Sequence, residues 1–180
     1  MGRFLIFVFA SLLFFTGCIN RQFYDGFTNS IDSLSASLEG TATAYEHLDT
    51  TLFKEQFGEM NVHLDSLRSF GEIALFPTVV DYGYVRKRYK TFLRAHPLTI
   101  KELIYSREQL TDLKHDIKSK GLDKAEVRQY VEQEKEAVAY LNRRMDSYRE
   151  SILRNHEKFE KLNPKIIVLL DSLYQTKKID

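Results

Sequence analysis

The chain has 180 residues, with 26 Lys and Arg against 25 Asp and Glu and a formal net charge of +1. That parity excludes the basic excess of a nucleic-acid binder, and the length suits one domain. A single cysteine excludes an internal disulfide, and three prolines and eight glycines leave few breaks for a fold of many short strands.

The first predicted element is an N-terminal signal. Arg3 precedes an unbroken apolar run, Phe4 to Phe15 (FLIFVFASLLFF), followed by the small residues Thr16 and Gly17 and then Cys18. The run is shorter than the ~20 residues that cross a bilayer and suits a signal-peptide core. Phe15-Thr16-Gly17-Cys18 resembles the lipobox of bacterial lipoproteins, with Phe15 where that family has an aliphatic residue. The resemblance covers residues 1–18. It implies cleavage between Gly17 and Cys18, a diacylglyceryl thioether on Cys18 and acylation of the new amino terminus, with no other cofactor. Two or more acyl chains anchor a protein stably, at about 0.8 kcal/mol per buried methylene. An ordinary secretory signal, or an uncleaved anchor with an incidental cysteine, is the alternative. Loss of residues 1–17 removes Arg3 alone among the charged residues and brings the chain to charge parity. On this reading residues 1–17 are the signal, 18–25 a tether and 26–176 a single helical-bundle domain. Asn20, and the absence of an acidic run after Cys18, imply by the same resemblance the outer membrane, facing the periplasm.

Phe27, Ile31, Leu34, Leu38, Tyr45 and Leu48 step by fours and threes, with Thr41 or Ala42 filling the gap, and predict a helix over about 26–48. The phase slips at Asp49-Thr50-Thr51. Phe53, Phe57, Met60, Leu64 and Leu67 then predict a second helix over about 51–69. Gly71 to Thr78 reads as a connector. Val79, Tyr82, Val85, Tyr89 and Phe92 predict a helix over about 78–94, and His96-Pro97 predicts its end. Thr99 with Glu102 as a capping box, and Leu98 with Leu103 as a staple, predict a new start, with Ile100, Leu103, Ile104, Leu110, Leu113 and Ile117 as the apolar face over 100–119. Gly121 then suits a helix C-terminus, and Asp123 with Glu126 suits the next N-terminus.

The last helix, about 123–175, carries the strongest pattern. Val127, Val131, Glu134, Val138, Leu141, Met145, Tyr148, Ile152, Asn155, Phe159, Leu162, Ile166, Leu169 and Leu173 form a heptad stripe. The stripe keeps phase across Pro164, which predicts a kink there rather than an end. Glu134 and Asn155 are expected to fix register against a partner helix. The fold class is therefore all-α, an elongated antiparallel helical bundle or coiled coil with the long C-terminal helix as its spine. The hairpin Lys101–Glu126 and "FEKLNPK", Phe159–Lys165, resemble the all-helical lipoproteins common in Bacteroidota. That resemblance implies a fold and an origin, and no activity.

One segment has the composition of a binding site. Between Asp81 and Pro97, Arg86, Lys87, Arg88, Lys90 and Arg94 stand among Tyr82, Tyr84 and Tyr89. Such a patch suits anionic lipid headgroups or envelope glycan. Against it, Tyr82, Val85, Tyr89 and Phe92 have the spacing of a core-facing stripe, which would leave the basic residues as a solvated face. The five histidines are scattered; Glu59 and His63 stand at i, i+4, and Asp112 and His115 at i, i+3. No Glu-x-x-His, HExxH, P-loop, GxSxG or CxxC occurs, so no metal site and no enzyme is expected. The leading expectation is a lipid-anchored envelope protein with a structural or protein-binding role and an envelope protein as partner. The alternative is a binder of anionic headgroups or glycan through residues 81–94. Intact mass of the native protein from the membrane fraction should equal Cys18–Asp180 plus glyceryl and acyl groups; a bare or uncut chain would remove the anchor.

Overall fold

The computed structural model describes the backbone of residues 2–71 and 76–177, with side chains from residue 22 onward. The side chains of the expected signal and of its cleavage site at Gly17 and Cys18, and residues 72–75 of the expected connector, lie outside the described residues. The elements are α1 (Gly2–Glu46), α2 (Thr50–Arg68), α3 (Pro77–Ser119) and α4 (Lys124–Lys177). The chain is an all-α helical bundle with a long C-terminal helix, and no strand occurs among the described residues.

The phase slip after α1 is a true break. Asp49 caps α2, its Oδ1 accepting from the backbone N–H groups of Thr51 and Leu52 at 3.0 and 2.9 Å. Two of the donors that a helix start leaves without partners are thereby satisfied. In α1 the described part of the expected tether, residues 22–25, is helical. Its aromatic residues give it something to pack on: Phe23 lies under the cations of Lys124 and Arg128, and the Tyr24 hydroxyl donates to the Leu122 carbonyl at 3.4 Å.

The expected break at His96-Pro97 is absent, because α3 runs through it as one helix. Thr99 is no cap: it is 1% exposed, and its hydroxyl donates to the Ala95 carbonyl one turn back at 3.1 Å. Leu98 is no staple, being 62% exposed. An interior proline costs about 3 kcal/mol, yet Pro97 sits on the exposed side while Phe92 and Leu103 are buried on either side of it. The inward stripe is Val79, Tyr82, Val85, Tyr89, Phe92, His96, Thr99, Leu103, Ser106, Leu110, Leu113 and Ile117, stepping by threes and fours with no change of phase at the proline. Ile104, expected inside, is 47% exposed. Pro164 likewise lies inside α4.

The chain packs as two compact units. One draws on residues up to Ala42 and on Glu102–Asn142, the other on Thr43–Lys101 and on residues from Arg143 onward. In the first unit α1 runs antiparallel to α3. The guanidinium of Arg107 donates to both carboxylate oxygens of Glu39 at 2.7 and 2.6 Å, and Lys114 pairs with Asp32. Arg107 holds the Glu39 carboxyl below its usual range, chiefly by hydrogen bonding. Ile31, Leu38, Ala42, Leu110, Leu113, Val131 and Leu141 form its core. Glu134 is half-buried, and desolvation pushes its carboxyl up. In the second unit Phe53 sets its edge against Tyr89 and Phe92 at 5.7 and 5.5 Å, and Tyr82 stacks on Phe159 at 6.2 Å.

Every stripe position of α4 from Val127 to Leu173 is buried or half-buried. Asn155 does not fix register against a partner helix; its Nδ2 donates to the Ser151 carbonyl of α4 itself at 2.7 Å. The α3–α4 turn follows the expected capping box. Asp123 Oδ1 accepts from the N–H groups of Ala125 and Glu126 at 2.7 and 2.9 Å, and Glu126 Oε2 accepts from the Asp123 N–H at 2.8 Å. The left-handed residue at the end of α3 is Lys120, with φ 56°, rather than Gly121. Gly121 N–H donates to the Asp116 carbonyl and Lys120 N–H to that of Ile117, the bonds of a Schellman motif. Lys120 bears a Cβ in a conformation that suits glycine. Lys120→Gly should therefore stabilise the protein by about 1 kcal/mol in urea denaturation.

Candidate functional site

Two polar clusters lie between the helices of the second unit. In the first, the Tyr89 hydroxyl donates to Gln56 Oε1 at 2.8 Å, His156 Nδ1 lies 3.1 Å from the same oxygen, and Gln56 Nε2 donates to Glu160 Oε1 at 3.2 Å. In the second, the Tyr82 hydroxyl donates to Asn163 Oδ1 at 2.5 Å, and Asn163 Nδ2 donates to Glu59 Oε1 at 2.7 Å. His63 Nδ1 lies 3.2 Å from the Tyr82 oxygen. Each cluster holds one tyrosine, one carboxamide, one histidine and one glutamate. The tyrosine comes from α3 in both. The other helices exchange duties: α2 supplies the amide and α4 the His–Glu pair in the first cluster, and the reverse holds in the second.

The hydrogen bonds fix the direction of each donor. An amide oxygen only accepts, so His156 Nδ1 carries its proton toward Gln56. The single proton of Tyr82 goes to Asn163, so the Tyr82 oxygen accepts from His63 Nδ1–H. Burial pushes the Tyr82 and Tyr89 phenols well above their usual range, helped by the negative charges of Glu59 and Glu160 respectively. It pushes Tyr45 up to about 12. All three are neutral near pH 7, where Tyr82 and Tyr89 serve as fixed donors rather than bases. No group of three or more metal-ligating side chains occurs among the described residues. Each cluster joins three helices, α2, α3 and α4.

Sequence reasoning singled out Glu59 with His63, which the structure places in one cluster. It missed Gln56, His156 and Asn163. Their signal was positional: Gln56, 7% exposed, fills the inward step between Phe53 and Met60. Asp112 and His115 are both exposed.

The five expected cations separate onto two sides of α3. Arg86, Lys87, Lys90 and Arg94 line a shallow depression of about 420 Å³ with Val80, Gly83, Tyr84 and Thr91. Arg86 is partly engaged, its Nη1 donating to Asn61 Oδ1 on α2 at 3.2 Å. Arg88 faces the other way, into a groove of about 520 Å³ between α3 and α4. There Asp81, Tyr84, Val85 and Arg88 oppose Asn155, Lys158, Lys161, Leu162 and Lys165. The three lysines on α4 were not foreseen, because only the antiparallel register brings them opposite Arg88. Among the described residues Lys87, Arg88, Lys90, Arg94, Lys158, Lys161 and Lys165 make no ion pair. Tyr84, 63% exposed, borders both depressions.

No protein-family model, no curated protein and no solved structure matches this chain.

Removing the centre of a polar cluster should cost more than removing an exposed amide. Gln56→Leu leaves the Tyr89 hydroxyl and the His156 N–H without their acceptor. It should lower stability by about 1–3 kcal/mol in urea denaturation, whereas Gln129→Ala on the exposed side of α4 should change it by less than about 1 kcal/mol.

Proposed function

We propose that the chain is a non-enzymatic helical protein of the cell envelope, held to the membrane by lipid on Cys18, and that its second unit captures an anionic ligand. One observation carries the ligand half. Seven cations without ion pairs among the described residues gather on neighbouring faces of α3 and α4, in a chain whose basic and acidic residues nearly balance overall. Like charges on successive turns repel, so such a cluster is relieved when an anion docks. The exposed ring of Tyr84 adds a flat apolar surface at the junction of the two depressions. Placement at the outer membrane, facing the periplasm, belongs to the anchor half and rests on the residues around Cys18.

A structural role, with an envelope protein as partner, is the second reading. It is supported by the heptad stripes of α3 and α4, which are buried within the chain and suit a self-contained spacer.

The test is retention of the full-length chain, in neutral detergent, on phosphocellulose against plain cellulose. Retention should occur on the phosphate matrix alone and fall as salt rises toward 0.15 M, where the screening length is about 8 Å. Reversing Lys87, Arg88, Lys90 and Arg94 to Glu should abolish it. Passage of the unaltered chain at low salt, or equal retention of the reversed chain, would overturn the anionic-ligand reading.

A further inference from the structure

The cations of the second unit do not form one undifferentiated face. Those of the 420 Å³ depression all stand on α3 and fan outward from a single helix. Those of the 520 Å³ groove stand on two helices that face each other. Only the second arrangement can surround a ligand.

Register sets the level of each group. Tyr82 meets Asn163 and Tyr89 meets His156 across the α3–α4 interface. That antiparallel pairing puts Arg88 level with Lys158, and Asp81 level with the turn that carries Lys161 and Lys165. The floor of the groove is apolar, made by the buried Val85 and the half-buried Leu162. Asn155 spends its amide N–H on its own helix. Four cations thus converge against one carboxylate, Asp81.

Size and charge together select the ligand. The volume lies within the range of small-molecule sites and exceeds what a bare phosphate needs. Local charge of that density suits a compact group with two or more negative charges rather than a lone carboxylate. Arg88 offers the planar fork that pairs bidentately with phosphate oxygens, and lysines serve as point charges around it. Val85, Leu162 and the ring of Tyr84 provide surface for an attached organic portion.

We infer that the groove between α3 and α4 is a phosphate-binding site, with Arg88, Lys158, Lys161 and Lys165 holding a phosphate-bearing group. This rests on the anionic-ligand reading above and narrows it to one of the two depressions. The shared chemistry is a phosphoryl group, whether free in solution or on a lipid headgroup.

Calorimetric titration of the full-length chain in neutral detergent tests it, with inorganic pyrophosphate as one probe and detergent-solubilised phosphatidylglycerol as the other. Two variants separate the depressions: Arg88→Gln with Lys158→Gln, Lys161→Gln and Lys165→Gln for the groove, and Lys87→Gln, Lys90→Gln and Arg94→Gln for the outer face. All seven residues are exposed, and circular dichroism checks that both variants stay helical. Each charge removed should weaken binding about fivefold, so the groove variant should lose on the order of a hundredfold or more. The outer-face variant should lose less than about tenfold, through long-range attraction alone. Pyrophosphate binding that depends on the groove supports a free phosphate ligand, and phosphatidylglycerol binding alone, with the same dependence, supports a headgroup. Undiminished binding by the groove variant, with loss in the outer-face variant, overturns this inference and leaves the anionic-ligand reading standing. No binding of either probe overturns the inference, and phosphocellulose retention then decides the broader reading separately.

Discussion

The long helices α3 and α4 must each keep one narrow stripe turned inward for their whole course. The period of such a stripe is fixed by the helix itself: a slip of one residue rotates all later side chains by about 100°. α3 obeys this constraint through Pro97, where its backbone loses a hydrogen bond. Ending the helix there would sacrifice the phase that buries Leu103, Leu110, Leu113 and Ile117. Retaining the proline costs a single interior defect on an exposed face. Where the phase is in fact lost, at Asp49, the chain does the opposite, and it stops and recaps.

The constraint also explains where polar groups are tolerated. Thr99 and Ser106 are buried on the α3 stripe, and Thr99 bonds within its own helix. Asn155 does the same on α4. Gln56, Tyr89 and His156 solve the problem between helices, using one another. A short side chain that can reach its own backbone needs no neighbour, while a long one needs a partner on the facing helix.

Much of the fold was legible because its signals are local. Asp123 with Glu126 forms the box that their spacing predicts, and the α4 stripe faces inward from Val127 to Leu173. The continuity of α3 was hidden for a physical reason. His96, Thr99 and Ser106 interrupt the apolar pattern, Ile100 and Ile104 imitate a shifted one, and proline is a strong local breaker. Packing on both sides outweighed all three. The basic segment was legible as composition, but not its division. Arg88 points away from Lys87, and its neighbours Lys158, Lys161 and Lys165 lie some 70 residues further along the chain. No local spacing encodes that meeting, since it depends on the register of two antiparallel helices. The polar clusters were hidden likewise, because each draws on three separated segments.

The exchange of duties between α2 and α4 gives the second unit a sense of direction. An apolar stripe is nearly symmetric: a helix sliding by a heptad, or entering upside down, still buries leucines and phenylalanines. The two clusters are not symmetric in that way. One demands an amide from α2 where the other demands a His–Glu pair, at levels one heptad apart on the same tyrosine-bearing helix. A shift by one heptad would set the Gln56 amide against Tyr82 without Asn163's glutamate, and reversal would mismatch both levels at once. The pair of clusters therefore works as a two-character address written across three helices, legible in one orientation only, and it lets a simple repetitive core find a single arrangement.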